Sequence, residues 1–232
     1  MMDEAISENF LRLVGDTQAN GVPEMHFRLW RRTSDEVRQK YVSQLQAKPE
    51  DRAWIADGFL ADDPGFDALL KLPHNSLGYL YARHIVDNDL NRTIASDYRR
   101  AHERMDADGK LEGMPDEVRY AILRGFQIHD VQHIVTGYLT TGWGEIALQA
   151  FCLAQLQLPY FSIWMATLTT QMTFHNPAMT TSVMDAISQG WQLGRQAKNL
   201  NFVKWEERFA EPIETLRREF GLPQAVAQPL AA

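Results

Sequence analysis

The sequence predicts an all-α fold, a single-domain helical bundle. Three observations carry the prediction. No alternation of Val, Ile or Thr with period two runs long enough to build a sheet. Apolar residues recur instead at three- and four-residue spacing with charges between them. The ten prolines and 14 glycines punctuate the chain rather than pervade it. At 232 residues, 45% of them hydrophobic, the chain is long enough to bury a sizeable core. A formal net charge of −7 leaves no basic stripe for phosphates, so nucleic acid is excluded as a partner. The one cysteine, Cys152, allows no intramolecular disulfide.

The elements follow in chain order. The first ten residues, MMDEAISENF, are acidic and lack the basic start and apolar run of a signal peptide. They also lack the arginines of a mitochondrial transit peptide, so the expected compartment is a reducing bacterial cytoplasm. No apolar run of about 18 residues marks a membrane span. In SDEVRQKYVSQL (34–45), Ser34 reads as an N-cap, with Val37, Tyr41, Val42 and Leu45 on one apolar face. LNRTIASDYRRAHERM (90–105) has the same helical spacing. DADGKLEG (106–113) resembles a calcium loop, but Lys110 sits where an oxygen ligand belongs, so it reads as a turn between helices.

Pro115 opens the next helix, DEVRYAILRGFQIHDVQHIV, with acids in its first turn to favour the macrodipole. Gly137 and Gly142-Trp143-Gly144 supply flexible backbone for a turn. From Ile146 to Met184, 39 residues carry no Asp, Glu, Lys or Arg, and Pro159 and His175-Asn176-Pro177 divide that span. These are expected to be central helices buried on most sides; the alternative is a surface lining an apolar tunnel or resting on a membrane. WEERFAEPIETLRREFGL (205–222) reads as an exposed closing helix ending at Gly221. The helical domain therefore spans 1–222, and 223–232 form a frayed tail.

One stretch carries chemistry: His129-Asp130-Val131-Gln132-His133, then eleven residues, then Glu145. On a helix each residue advances about 100°, so His133 lies ~40° round from His129 and Asp130 ~100°. All three point into one sector, and the imidazoles sit one turn apart. An antiparallel hairpin returning Glu145 would place two nitrogens and two carboxylates in the core, a composition suited to Zn²⁺, or to Fe²⁺ or Mn²⁺ with open positions. The alternative is a hydrogen-bonded network without metal. Asp in place of the zincin Glu argues against a protease. Among the other histidines, His74 reads as a helix-start residue beside the capping candidates Asn75 and Ser76. His175 reads as a helix-end residue. His26, His84 and His102 read as surface residues. Cys152 reads as a small core residue.

With these residues in view, the sequence resembles the coenzyme Q (ubiquinone) biosynthesis family Coq-four. HDVQHIVTGYLTTGWGE (129–145) matches the family's H-D-x-x-H-x(11)-E in residues and spacing. LPHNSLGYLYARHI (72–85) resembles its L-P-x-x-S-L-G block, and GWGEIALQAFCLAQLQLP (142–159) its GE-helix-LP segment. KWEERFAEPIETLRREFGL (204–222) is similar to its closing stretch, so the resemblance covers about 65–222. It implies His129, Asp130, His133 and Glu145 as ligands of a divalent metal, Zn²⁺ first and Fe²⁺ as the alternative. It also implies removal of the carboxyl from carbon one of a polyprenylated hydroxybenzoate, coupled in some accounts to hydroxylation. The competing role is a non-catalytic lipid-binding scaffold for other ubiquinone-biosynthesis enzymes. A polyprenylated quinone precursor, peripheral contact with the inner membrane and a homo-oligomer are the expected partners. Phe151, Tyr160, Phe161, Trp164 and Phe174 are candidates to line the site of a prenyl tail. Eukaryotic members of the family are mitochondrial, and the acidic N-terminus points instead to a bacterial relative.

Overall fold

The computed structural model describes residues 4–16, 21–90 and 92–224. Among them are 13 α-helices and no strand. The first seven helices are α1 (Glu4–Gly15), α2 (Val22–Arg31), α3 (Asp35–Leu45), α4 (Pro49–Asp57), α5 (Phe66–Leu69), α6 (Leu77–Asp87) and α7 (Ile94–Ala107). The remainder are α8 (Asp116–Gln127), α9 (His129–Thr136), α10 (Gly142–Leu156), α11 (Pro159–His175), α12 (Thr180–Gln196) and α13 (Ile213–Phe220). Two short 3₁₀ turns occupy Pro177–Met179 and Trp205–Arg208. None of the helices is long and apolar enough to cross a membrane.

Most predicted punctuation is where the sequence puts it. The Val37 amide donates to Ser34 Oγ at the start of α3, although Val37 itself is exposed rather than on the buried face. Pro115 precedes α8, whose first turn holds Asp116 and Glu117. The 106–113 stretch leaves α7 as a turn through left-handed Gly109, and Asp106 pairs with Arg119 rather than facing a ligand. The helix expected to run on from Pro115 breaks at Ile128, so His129 opens a helix of its own. The tail beyond 222 lies, from residue 225, outside the described residues.

The described residues form two compact units, one within 4–37 and 139–196, the other within 38–138 and 197–224. Each is assembled from separated stretches of chain, so no linker marks them in the sequence.

In the first unit, α10 is a core helix: Ala147, Leu148, Ala150, Phe151, Cys152 and Leu156 are all buried. Its partner α12 approaches so closely that a Cβ on Gly190 would lie 1.9 Å from the Ala147 carbonyl oxygen, and one on Gly194 2.5 Å from that of Phe151. Only glycine allows such backbone contact. Leu13, Val22, Met25 and Ile163 form a second cluster, against which Tyr160 and Trp164 pack. The charge-free span is therefore not buried throughout, contrary to expectation. Along α11 only Ile163 and Thr167 are buried, and Phe174 is 80% exposed. A helix without charges, whose polar residues follow no helical period, carries no signal to say which side faces the core, so its burial was not legible in the sequence.

In the second unit, Arg124 is fully buried, its guanidinium donating to both Glu206 carboxylate oxygens at 2.8 Å and to the Val203 carbonyl at 2.6 Å. The closing stretch is not one exposed helix. Trp205 is buried, with its indole N–H on the Leu200 carbonyl. Pro212 separates the 3₁₀ turn from α13, because proline offers no amide to the helix and disfavours helical geometry in the residue before it. Gly221 ends α13 in the left-handed conformation, as expected.

Candidate metal centre

The second unit carries both histidines of the site on one helix. On α9, His133 and Asp130 are buried and His129 is partly exposed. The imidazoles of His129 and His133 meet edge to face with centroids 4.7 Å apart. Each offers a ring nitrogen within 4.8 Å of the other's. His133 Nδ1 lies 2.9 Å from the Tyr138 carbonyl oxygen. In the neutral ring that nitrogen donates, which leaves the lone pair on Nε2 and fixes the ring's orientation. Tyr138 is itself buried, and burial pushes its hydroxyl up to about 12, so it stays neutral.

Asp130 occupies the first turn of α9, where a carboxylate favours the helix dipole. Its Oδ1 lies 3.9 Å from His129 Nδ1 and 3.5 Å from His84 Nε2. Burial pushes this carboxyl up, but the neighbouring imidazoles of His129 and His84 outweigh burial and hold it well below the usual carboxylate range. It is ionised at any physiological pH.

The far end of α9 is also secured. Gly137 closes it in the left-handed conformation with its amide on the His133 carbonyl. Arg217, on α13, donates to the carbonyls of Ile134 and Val135 at 2.9 and 3.1 Å, satisfying acceptors that a helix C-terminus leaves open.

Glu145 stands in the first unit, half-buried on the first turn of α10. Thr141 caps that turn, accepting from the Gly144 amide at 3.3 Å. Gly142, Trp143 and Gly144 thus belong to the helix rather than to a turn. Gly144 is needed because a Cβ there would lie 1.9 Å from the Leu139 carbonyl oxygen. The donor types that a divalent ion takes are supplied by His129, His133 and Glu145: two imidazoles and a carboxylate.

The aromatic candidates fall in three settings. Phe151 is core, Tyr160 and Trp164 pack on the Leu13 cluster, and Phe174 is exposed. Cys152 is buried, as expected of a core residue, and burial pushes its thiol up to about 12. His175 ends α11 and His74 stacks on Tyr79 just before the Ser76 cap of α6, both as predicted. The remaining three histidines depart from prediction. His26 is buried among Phe27, Trp30 and Tyr160, and His102 is half-buried. His84 turns inward to Asp130. The signal for His84 was available: Leu77, Tyr81 and His84 recur at four- and three-residue spacing on one face of α6.

Residues 50–225 match the family described as Coenzyme Q (ubiquinone) biosynthesis protein Coq4. The chain is 27% identical over 214 residues to the ubiquinone biosynthesis protein COQ4 homolog, mitochondrial, of Nematostella vectensis, covering 90% of this chain and 89% of that one. It is 26% identical over 184 residues to ubiquinone biosynthesis protein COQ4, mitochondrial, of Ajellomyces capsulatus, covering 74% and 62%. The crystal structure of a candidate ubiquinone biosynthesis protein from Nostoc punctiforme superposes with a TM-score of 0.71 at 23% identity, over 93% of this chain and 96% of that chain, so it has the same fold. These relatives correct the expected bacterial cytoplasm. The matching sea-anemone, fungal, mosquito and mouse proteins are all named mitochondrial, so an acidic first ten residues is no guide to compartment in such company.

Proposed function

The chain belongs to the Coq4 family of coenzyme Q (ubiquinone) biosynthesis proteins, and from that premise we propose that it is a metal-dependent decarboxylase acting at carbon one of a polyprenylated hydroxybenzoate. The observation that carries the reading is the pair of imidazoles one turn apart on α9, with His133 anchored through Nδ1 so that Nε2 is the ligating atom. His129, Asp130, His133 and Glu145 are the proposed ligands, Glu145 on its sequence spacing and its donor chemistry. A divalent ion bound there, Zn²⁺ first and Fe²⁺ as the alternative, supplies a Lewis acid for the carboxylate or phenolate oxygen of the substrate.

The chain's own residues do the rest. His133 and Asp130, both buried, keep water from the inner side of the site and hold their donor atoms in one orientation. The reaction breaks the bond between ring and carboxyl carbon, releases carbon dioxide and returns a proton to the ring carbon. Elemental analysis beside a turnover assay tests the reading. Wild type should carry near-stoichiometric metal and turn over. His133→Ala should lose both while keeping its helical circular dichroism. Turnover surviving in the metal-free variant overturns it.

A second reading, a non-catalytic lipid-binding scaffold, draws on α11, whose charge-free length is only partly buried. It expects the same metal loss, together with lower melting temperature and weaker binding of other pathway enzymes, but no turnover in wild type.

A further inference from the structure

We propose that His84 is a positioning residue of this metal site, an imidazole outside the H-D-x-x-H-x(11)-E pattern that holds the Asp130 carboxylate in place. The inference rests on the metal-site reading above.

The helix that carries His84 is anchored at its start. Ser76 caps α6, and the amides of Leu77 and Gly78 donate to the carbonyls of Glu211 and Phe209 at 2.9 and 2.8 Å. A Cβ on Gly78 would lie 2.8 Å from Phe209 Cβ, so the helix start is pressed against that segment. One turn before His84, Tyr81 stacks between Phe66 and Phe209, with centroids at 5.9 and 5.5 Å. From this base the His84 side chain reaches inward, 14% exposed, with Nε2 inaccessible to solvent. What that nitrogen faces is Asp130 Oδ1 at 3.5 Å. The separation is long for a hydrogen bond and closes with a small side-chain rotation.

Distances separate a positioning role from a ligating one. With metal–nitrogen bonds of about 2.0–2.1 Å, two imidazoles on one tetrahedral ion have centroids roughly 5 Å apart. His129 and His133, at 4.7 Å, fit that spacing. His84 and His133, at 6.1 Å and tilted by only 24°, do not. A carboxylate held by an imidazole N–H keeps one oxygen fixed and presents the other, which is how outer partners sharpen metal affinity.

Zinc competition against a chromophoric chelator tests this, using the full chain as wild type, His84→Ala, His84→Phe and His84→Gln, with metal-free melting curves alongside. Loss of the outer partner should weaken zinc binding by about 10–100-fold in the Ala and Phe variants, while Gln, with a donor at the same reach, stays within about threefold of wild type. The metal-free Phe variant should keep wild-type helical circular dichroism and a cooperative melt, because one planar ring replaces another. Phe binding zinc as tightly as wild type, or Gln as weakly as Phe, overturns the inference. A folded wild type that binds no zinc instead overturns the metal-site reading beneath it.

Discussion

At the scale of the residue, the buried histidines behave in opposite ways. His133 is buried with a carbonyl to bond, and its ring is thereby oriented for a task. His26 is buried among aromatic rings, and burial lowers its pKa from 6.5 to about 4. A lowered imidazole pKa means the neutral form is the one the fold accepts. Its contribution to stability is complete above pH 6.5 and is lost as pH falls through about 4. Wild type should therefore lose on the order of 3 kcal/mol across that window that His26→Phe does not lose. Urea denaturation of both proteins at pH 7 and pH 4 measures it, and equal losses would show that the ring is not held neutral. Spacing along one helix made His129, Asp130 and His133 legible as a group, since all three share α9. The inward turn of His84 was not read, because the charges beside it suggested a surface.

At the scale of the element, backbone contact decides what α10 and α12 tolerate. Gly190→Ala would drive a methyl against the Ala147 carbonyl, where no side chain can move aside. Overpacking of this kind costs about 1–3 kcal/mol or more. Gly125→Ala is the matched control, because a Cβ at that position of α8 meets nothing within 4 Å. It should be neutral or stabilise by up to about 1 kcal/mol. Thermal melts of the two variants should move apart, and a Gly190→Ala melt equal to wild type would contradict the close approach. Helix ends were legible at this scale wherever a cap or breaker marks them: Ser34, Pro115, Pro159 and Gly221 each stand at a boundary. The break at Ile128 has no such marker, and hydrogen bonds from Ile128 to Arg124 and from Gln132 to Ile128 run across it.

At the scale of the whole molecule, metal and stability should be linked. A ligand that binds only the folded chain stabilises it by about 2.7 kcal/mol at a hundredfold excess over its dissociation constant. Zinc should then raise the melting temperature of wild type, chelator should reverse the rise, and His133→Ala should respond to neither in calorimetry. An equal zinc shift in that variant would place the bound ion elsewhere. By itself the sequence determined the helical class, most helix boundaries and the donor types of the candidate centre. Periodicity, capping and ligand chemistry are all expressed over a few neighbouring residues. Tertiary structure alone decided which faces of the charge-free helices are buried, and that the chain is gathered into two compact units from separated stretches. It also decided that His84, some 45 residues before Asp130, faces its carboxylate. Such pairings depend on which distant helices meet: periodicity marks the face of α6 that is buried, and only packing selects the helix which that face meets.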